Sequence, residues 1–186
     1  EFLFPLEARH NHAPGIVECP NGDLLVSWFR GSGERTADDV AVLGARQRKG
    51  KGAWSEPFVL ADTPGFPDCN TTLFIDRQKR LWLFWPLVIA NSWESCLTSY
   101  RVAHDYQRAG PIKWDWQGVI PLKPEGLQTT MNLALDEYLR VSPTNVFDGI
   151  RLETFRHRIG DKLLNRLGWQ PRCKPTVLRS GRIVLP

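Results

Sequence analysis

Histidines, arginines and a pair of aspartates gather in the first forty residues of this 186-residue chain. His10 and His12 are separated by one residue, so on an extended strand their side chains share a face. Arg30, Arg35, Asp38 and Asp39 lie in and after the next apolar run. A strand and the loop that follows it would carry His12, Arg30 and one of the two aspartates toward the same end of a sheet. A histidine base beside an arginine that neutralises a uronate carboxylate is the equipment for β-elimination. The two histidines also form an imidazole pair suited to a metal, but they show no third ligand at a metal-type spacing, so neither a metal nor a cofactor is assigned.

The elements that must position these residues read as short strands. Apolar runs at 15–18, 24–29 and 40–45 are followed by a basic, Gly-rich hairpin leading to Trp54-Ser55-Glu56-Pro57. Asn21-Gly22 between the first two runs is a hairpin signal in which both turn residues are expected at positive φ. The unit then repeats. Leu24-Leu25-Val26-Ser27-Trp28 is matched by Leu81-Trp82-Leu83-Phe84-Trp85, and a third copy runs through Val177, Leu178, Ile183, Val184 and Leu185. Four short strands per repeat of this length are the signature of a propeller blade, with a β-sandwich as the competing arrangement. The chain is therefore predicted to be all-β: an extended lead-in over 1–11, blade one over 12–60, blade two over 68–122 and the start of a third blade over 173–186. Between them, 124–169 departs from the strand pattern. Met131, Leu135, Tyr138 and Leu139 fall at helical spacing, and Asp161 and Gly168 bracket a second short helix, so 124–169 reads as inserted loops with helices. A third blade broken off at its start leaves strand groups unpaired. The remaining blades of a longer protein, or another chain, are expected to cover that edge.

Composition narrows the partners. The net charge of +4 is small, and its cations are scattered apart from 46–51, which reads as a solvated turn. That argues against nucleic acid and suits an acidic glycan. No apolar stretch is long enough to span a membrane. The eight tryptophans include Trp28, Trp54, Trp82 and Trp85, expected to fill the core between blades. Cys19, Cys69, Cys96 and Cys173 lack metal-type spacing and are open to either two disulfides or buried free thiols.

Taken in order, Pro14, Asn21-Gly22-Asp23-Leu24-Leu25, Ala45-Arg46, Gly50 and Trp54-Ser55-Glu56-Pro57 resemble the first blade of the sialidase-like BNR (Asp-box) propellers. The box itself is altered at 47–53, where its Ser, Asp and Gly are absent, while Trp54 and the Ser-Glu-Pro tail remain. Cys69-Asn70-Thr71 resembles the Asn-Pro that opens the second blade. Ser180-Gly181-Arg182-Ile183 resembles a later inner strand, and 124–169 lies outside the resemblance. The resemblance implies a neuraminidase-like glycoside hydrolase acting on an exo-type sugar, in a secreted or periplasmic setting. It implies an acid in the loop holding Asp38 and Asp39, which could protonate a leaving glycosidic oxygen if its pKa is raised. The family's first carboxylate-clamping arginine falls at His12, and an imidazole cannot make the bidentate clamp of a guanidinium. Further clamp arginines and the nucleophile pair would fall on later blades. On this reading Asp38, Asp39 and His12 are the catalytic candidates, and Arg30, Arg35, His10, Asn70 and Trp93 contact the sugar. Related propellers include uronate-glycan lyases, which would make His12 the base. A non-catalytic glycan-binding propeller would instead use Trp93 and the 124–169 loops.

Overall fold

The computed structural model describes residues 3–141 and 146–186. The first sheet is an antiparallel meander of β1 (His10–Glu18), β2 (Leu24–Gly31), β3 (Ala41–Gln47) and β4 (Phe58–Ala61), paired in that order. The second repeats the plan with β5 (Thr72–Ile75), β6 (Leu81–Val88), β7 (Cys96–Ala103) and β8 (Trp116–Val119). Leu24 and Leu81, aligned by the repeat, open the corresponding strands β2 and β6. A two-stranded hairpin, β9 (Thr176–Val177) and β10 (Ile183–Val184), carries the third copy and turns at Gly181, whose φ is +85°.

Both sheets contribute to one core. Val17, Leu25, Val42 and Leu60 from the first pack in a cluster with Leu73, Leu81, Leu83 and Trp85 from the second. Removing a leucine of this size from water stabilises the fold by about 1.5–3 kcal/mol, and Leu25, Leu60, Leu81 and Leu83 are all fully buried. Of the four tryptophans expected in the core, only Trp85 is buried; Trp28, Trp54 and Trp82 are half-buried. Their indole nitrogens explain part of this, because Trp28 donates to Asn11 Oδ1 and Trp82 to Asp76 Oδ2 near the surface.

Two local expectations are corrected. Gly22 alone of the Asn21-Gly22 pair takes positive φ, at 82°. The Gly22 amide donates to Cys19 O at 2.8 Å and the Cys19 amide to Asp23 O at 2.7 Å, so Pro20 and Asn21 occupy a turn that the left-handed Gly22 closes. The basic stretch at 46–51 is not wholly solvated. Arg46 is buried beside Asp23 at 3.6 Å, and Arg48 reaches the same carboxylate at 2.5 Å. Burial pushes the Asp23 carboxyl up, but the Lys49 amide, Arg48 and Asn21 all donate to it, and the net effect lowers its pKa. This cluster locks the β1–β2 turn to the β3–β4 hairpin, where Trp54 makes only a bridge to Gln47 and the paired strand begins later, at Phe58.

Pro121–Gly168 forms a compact unit by itself. It holds α1 (Leu127–Val141), α2 (Val146–Gly160) and α3 (Lys162–Arg166), the last capped by Asp161 accepting from the Leu163 amide at 2.8 Å. Among the described residues no helix is long and apolar enough to cross a membrane. All four cysteines are free thiols, and Cys173 alone of them is exposed.

Candidate functional site

β1 does not run straight. Its register against β2 shifts between His12 and Gly15, and Ala13 sits at φ 51°, a left-handed conformation uncommon for alanine. Gly15 follows this bulge in a close-packed spot: a Cβ there would crowd Ser27 Oγ of β2 at 3.0 Å and make ordinary contact at 3.5 Å with the Leu73 amide of the neighbouring sheet. The bulge thus lets β1 press against the start of β5. A concavity of about 150 Å³ opens at this junction, lined by His12, Ala13, Pro14, Asn70, Thr71 and Arg172. Asn70, like Ala13, is left-handed (φ 36°), and its side-chain amide donates to Gln170 Oε1 at 2.8 Å. Two strained non-glycine residues in one small polar hollow are the kind of backbone outlier that accompanies binding sites.

His12 is held from several sides. It pairs with Phe29 across the β1–β2 ladder, and its ring lies edge-on to Phe29 at 5.7 Å. His10, opposite Gly31, stacks on the same Phe29 ring at 5.5 Å. Glu34, from the β2–β3 loop, places Oε1 3.7 Å from His12 Nδ1. Its other oxygen receives Arg35 Nη1 at 3.3 Å, and the Arg35 guanidinium lies over Trp93 at 5.4 Å. The Glu34 carboxylate thus faces the Nδ1 edge of the imidazole beyond hydrogen-bond reach, at ion-pair distance for a protonated ring.

The structure does not bring every candidate here. Arg30 pairs with Asn11 across the ladder, one position out of phase with His12, so it occupies the opposite face, where it meets Glu7 at 3.7 Å. Asp38 accepts from Asn91 Nδ2 at 2.9 Å on the loop of the second sheet. Asp39 is exposed and accepts from both the amide (2.9 Å) and the hydroxyl (2.8 Å) of Ser32. Those bonds, with Arg9 nearby, lower its pKa, which favours the carboxylate over an acid with a proton to give. Neither aspartate lines the hollow with His12, Asn70 and Arg172. Trp93 belongs to the Arg35 side of the cluster, and 124–169 falls almost wholly in the separate helical unit.

Three residues were missed from the sequence. Arg172 reaches the hollow from a segment a hundred residues beyond Asn70, and Glu34 comes from an irregular loop; neither has a motif around it. Asp68 is fully buried, accepting from Trp85 Nε1 and from the amide and hydroxyl of Thr63. Burial pushes its carboxyl up to about 6. The proline, aspartate and glycine around it read as an ordinary turn.

The family model described as a BNR repeat-like domain matches residues 22–131. The chain belongs to the BNR repeat-like family. That is the sialidase-like grouping which its first hairpins resemble, and its fold is a partial β-propeller with open sheets. Its likeness to solved structures is one of fold. A protein of unknown function from Dyadobacter fermentans aligns over 97% of this chain and 47% of its own, at 12% identity and a TM-score of 0.59. A Hadza microbial sialidase aligns over 59% of this chain and 26% of its own, at 14% identity and a TM-score of 0.47. A Trypanosoma rangeli sialidase in complex with sialic acid aligns over 63% and 22%, at 11% identity and a TM-score of 0.47. The chain thus spans less than half the length of each of these structures. A comparison with curated protein sequences finds no match.

Proposed function

We propose that this BNR-family chain contributes to a carbohydrate-active enzyme that breaks glycosidic bonds next to a carboxylate-bearing sugar. The observation that carries the reading is the meeting of His12, Asn70 and Arg172 in one small polar hollow between the two sheets. Arg172 offers the planar donor set that matches a carboxylate. Asn70 offers an amide, and His12 a ring nitrogen for proton transfer. The hollow is small enough for one sugar's polar edge and is flanked by the exposed His10, the Glu34–Arg35 pair and Trp93.

Between the chemistries open to such a site, the geometry favours elimination. Arg172 would bind the uronate carboxylate and make the adjacent C5–H more acidic. His12 Nε2 would take that proton, the C5–H electron pair would form the C4–C5 double bond, and the C4–O bond would break. The departing glycosidic oxygen keeps its electron pair and takes a proton from water. Glu34 would position the imidazole and stabilise the imidazolium that forms. Hydrolysis with Asp38 as the acid is the second reading. It is supported by the exposed Asp38 carboxylate on the same loop as Glu34 and Arg35.

Product analysis on a panel of uronate-containing polysaccharides and sialosides separates these readings, using the longest natural form of the protein. Elimination gives the ultraviolet-absorbing unsaturated uronate, whereas hydrolysis releases sugar without that absorbance. Glycan binding with neither product would reduce the site to a binding surface and sink the catalytic proposal.

A further inference from the structure

We propose that His10, His12 and Glu34 form a binding site for one divalent first-row transition cation of the zinc class. The ligating atoms of these three side chains all lie within 4.8 Å of one another. In a tetrahedral site with bonds of about 2.0–2.1 Å, neighbouring ligand atoms stand about 3.3 Å apart. The His12 Nδ1 to Glu34 Oε1 distance is 3.7 Å and no pair of ligating atoms exceeds 4.8 Å, so closure on an ion asks for side-chain movements of up to about 1.5 Å.

The surroundings favour that closure in three ways. The one-residue spacing on β1 puts both imidazoles on one face, and Phe29 contacts both rings and limits their rotation. Gly31 pairs with His10 across the ladder and is held as glycine by Val40, which its Cβ would meet at 2.6 Å. Glu34 presents one oxygen to the histidines while Arg35 holds the other. An outer partner that fixes a ligating carboxylate is a regular feature of metal centres. Two imidazoles and one carboxylate suit zinc, cobalt, nickel or iron(II) and are a poor match for calcium or magnesium, which take oxygen ligands. Three protein ligands would leave at least one coordination position for water or a sugar oxygen. Occupancy would turn His12 from a proton acceptor into a ligand, yet the inference does not rest on the proposed reaction, because metal binding is read without any glycan.

The test is titration of the chelator-treated full chain with Zn²⁺ by calorimetry and with Co²⁺ by visible absorbance, for the native protein and the variants H10Q, H12Q and E34Q. The expected result is one metal per chain, a cobalt spectrum of nitrogen and oxygen ligation, and a loss in each variant of more than about tenfold, since loss of an outer-shell partner alone removes about 10–100-fold. Far-ultraviolet circular dichroism checks each variant's fold. Should H12Q unfold through its contact with Phe29, the exposed H10Q and the loop variant E34Q decide the matter. Absence of saturable binding overturns the proposal. So does binding that H10Q and E34Q leave unchanged, or a thiolate-to-cobalt charge-transfer band assigning the metal to the exposed Cys173.

Discussion

Asp68 joins the two sheets: its amide donates to Val40 O, ahead of β3, and it bridges to Leu87 in β6. Its carboxyl is buried with Trp85, and the Arg101 guanidinium lies over that indole at 5.5 Å. Burial raises its pKa from 3.8 to about 6, against hydrogen bonds from Trp85 and Thr63 that pull it down. Each pH unit between folded and unfolded values is worth about 1.4 kcal/mol, so this one group should change stability by about 3 kcal/mol. The sign follows from which state holds the proton. Below pH 3.8 both states are protonated and the group contributes no penalty. Between 3.8 and about 6 the unfolded chain has released its proton while the folded chain keeps it, so stability falls as pH rises. Above about 6 the loss is complete.

Asp68→Asn isolates this contribution from the carboxylates that act in the opposite direction, Asp23 and Asp76, whose lowered pKa values make them lose stability in acid. The amide is the same size but cannot ionise. It keeps an acceptor for Trp85 and turns an N–H toward the Thr63 amide, which costs about 1–3 kcal/mol at every pH. The wild type should therefore be the more stable protein at pH 4, and that advantage should vanish or reverse by pH 7. Urea unfolding followed by tryptophan fluorescence measures it, since all eight tryptophans lie outside Pro121–Gly168. A difference between the two proteins that stays flat from pH 4 to 7, or grows with pH, would refute the reasoning.

His12→Gln should lower turnover by about 10²–10⁴-fold with glycan affinity nearly kept; comparable losses in KM alone would place His12 in binding only. Arg172→Met should weaken binding of a uronate-containing oligosaccharide by about 10–100-fold, the worth of a charge-assisted contact, while leaving a neutral oligosaccharide unaffected in the same calorimetric titration. Asp23→Ala should destabilise by about 3–5 kcal/mol, because it strands the buried Arg46 without a counter-charge; a loss under about 1 kcal/mol in urea unfolding would show that Arg46 escapes to solvent.

The sheets were legible because their repeat is a matter of local pattern: alternating apolar runs, Gly-containing turns and a second copy in the same order. Helix α1 was legible for the same reason, through the spacing of Met131, Leu135, Tyr138 and Leu139. Helix α2 was not, since its stretch mixes Gly149 and charged residues with no clear apolar stripe. Within the site, the shared face of His10 and His12 followed from a period of two. Arg30 shows the limit of that argument. Its distance in sequence from His12 is uninformative until the ladder register is known, and a single-position offset sends it to the other face.

The bulge at Ala13 is the feature that turns this arithmetic into a site. A regular β1 would continue its alternation through Pro14 and keep an even distance from the second sheet. The register shift between His12 and Gly15 instead lets the strand bend where Gly15 allows close approach, so His12 faces Asn70 and Arg172 rather than solvent alone. Filling the close approach should then disturb the hollow without touching any candidate residue. In Gly15→Ala a Cβ meets Ser27 Oγ of β2 at 3.0 Å, tighter than ordinary contact, so the Ser27 hydroxyl must give way by a few tenths of an ångström and disturb the hydrogen bond it accepts from Thr71, which lines the hollow. The expected outcome is glycan binding weakened by about 2–10-fold, the worth of one neutral hydrogen bond, with His10 and His12 still intact. If Gly15→Ala binds as the wild type does, the hollow between the sheets is not where the sugar sits.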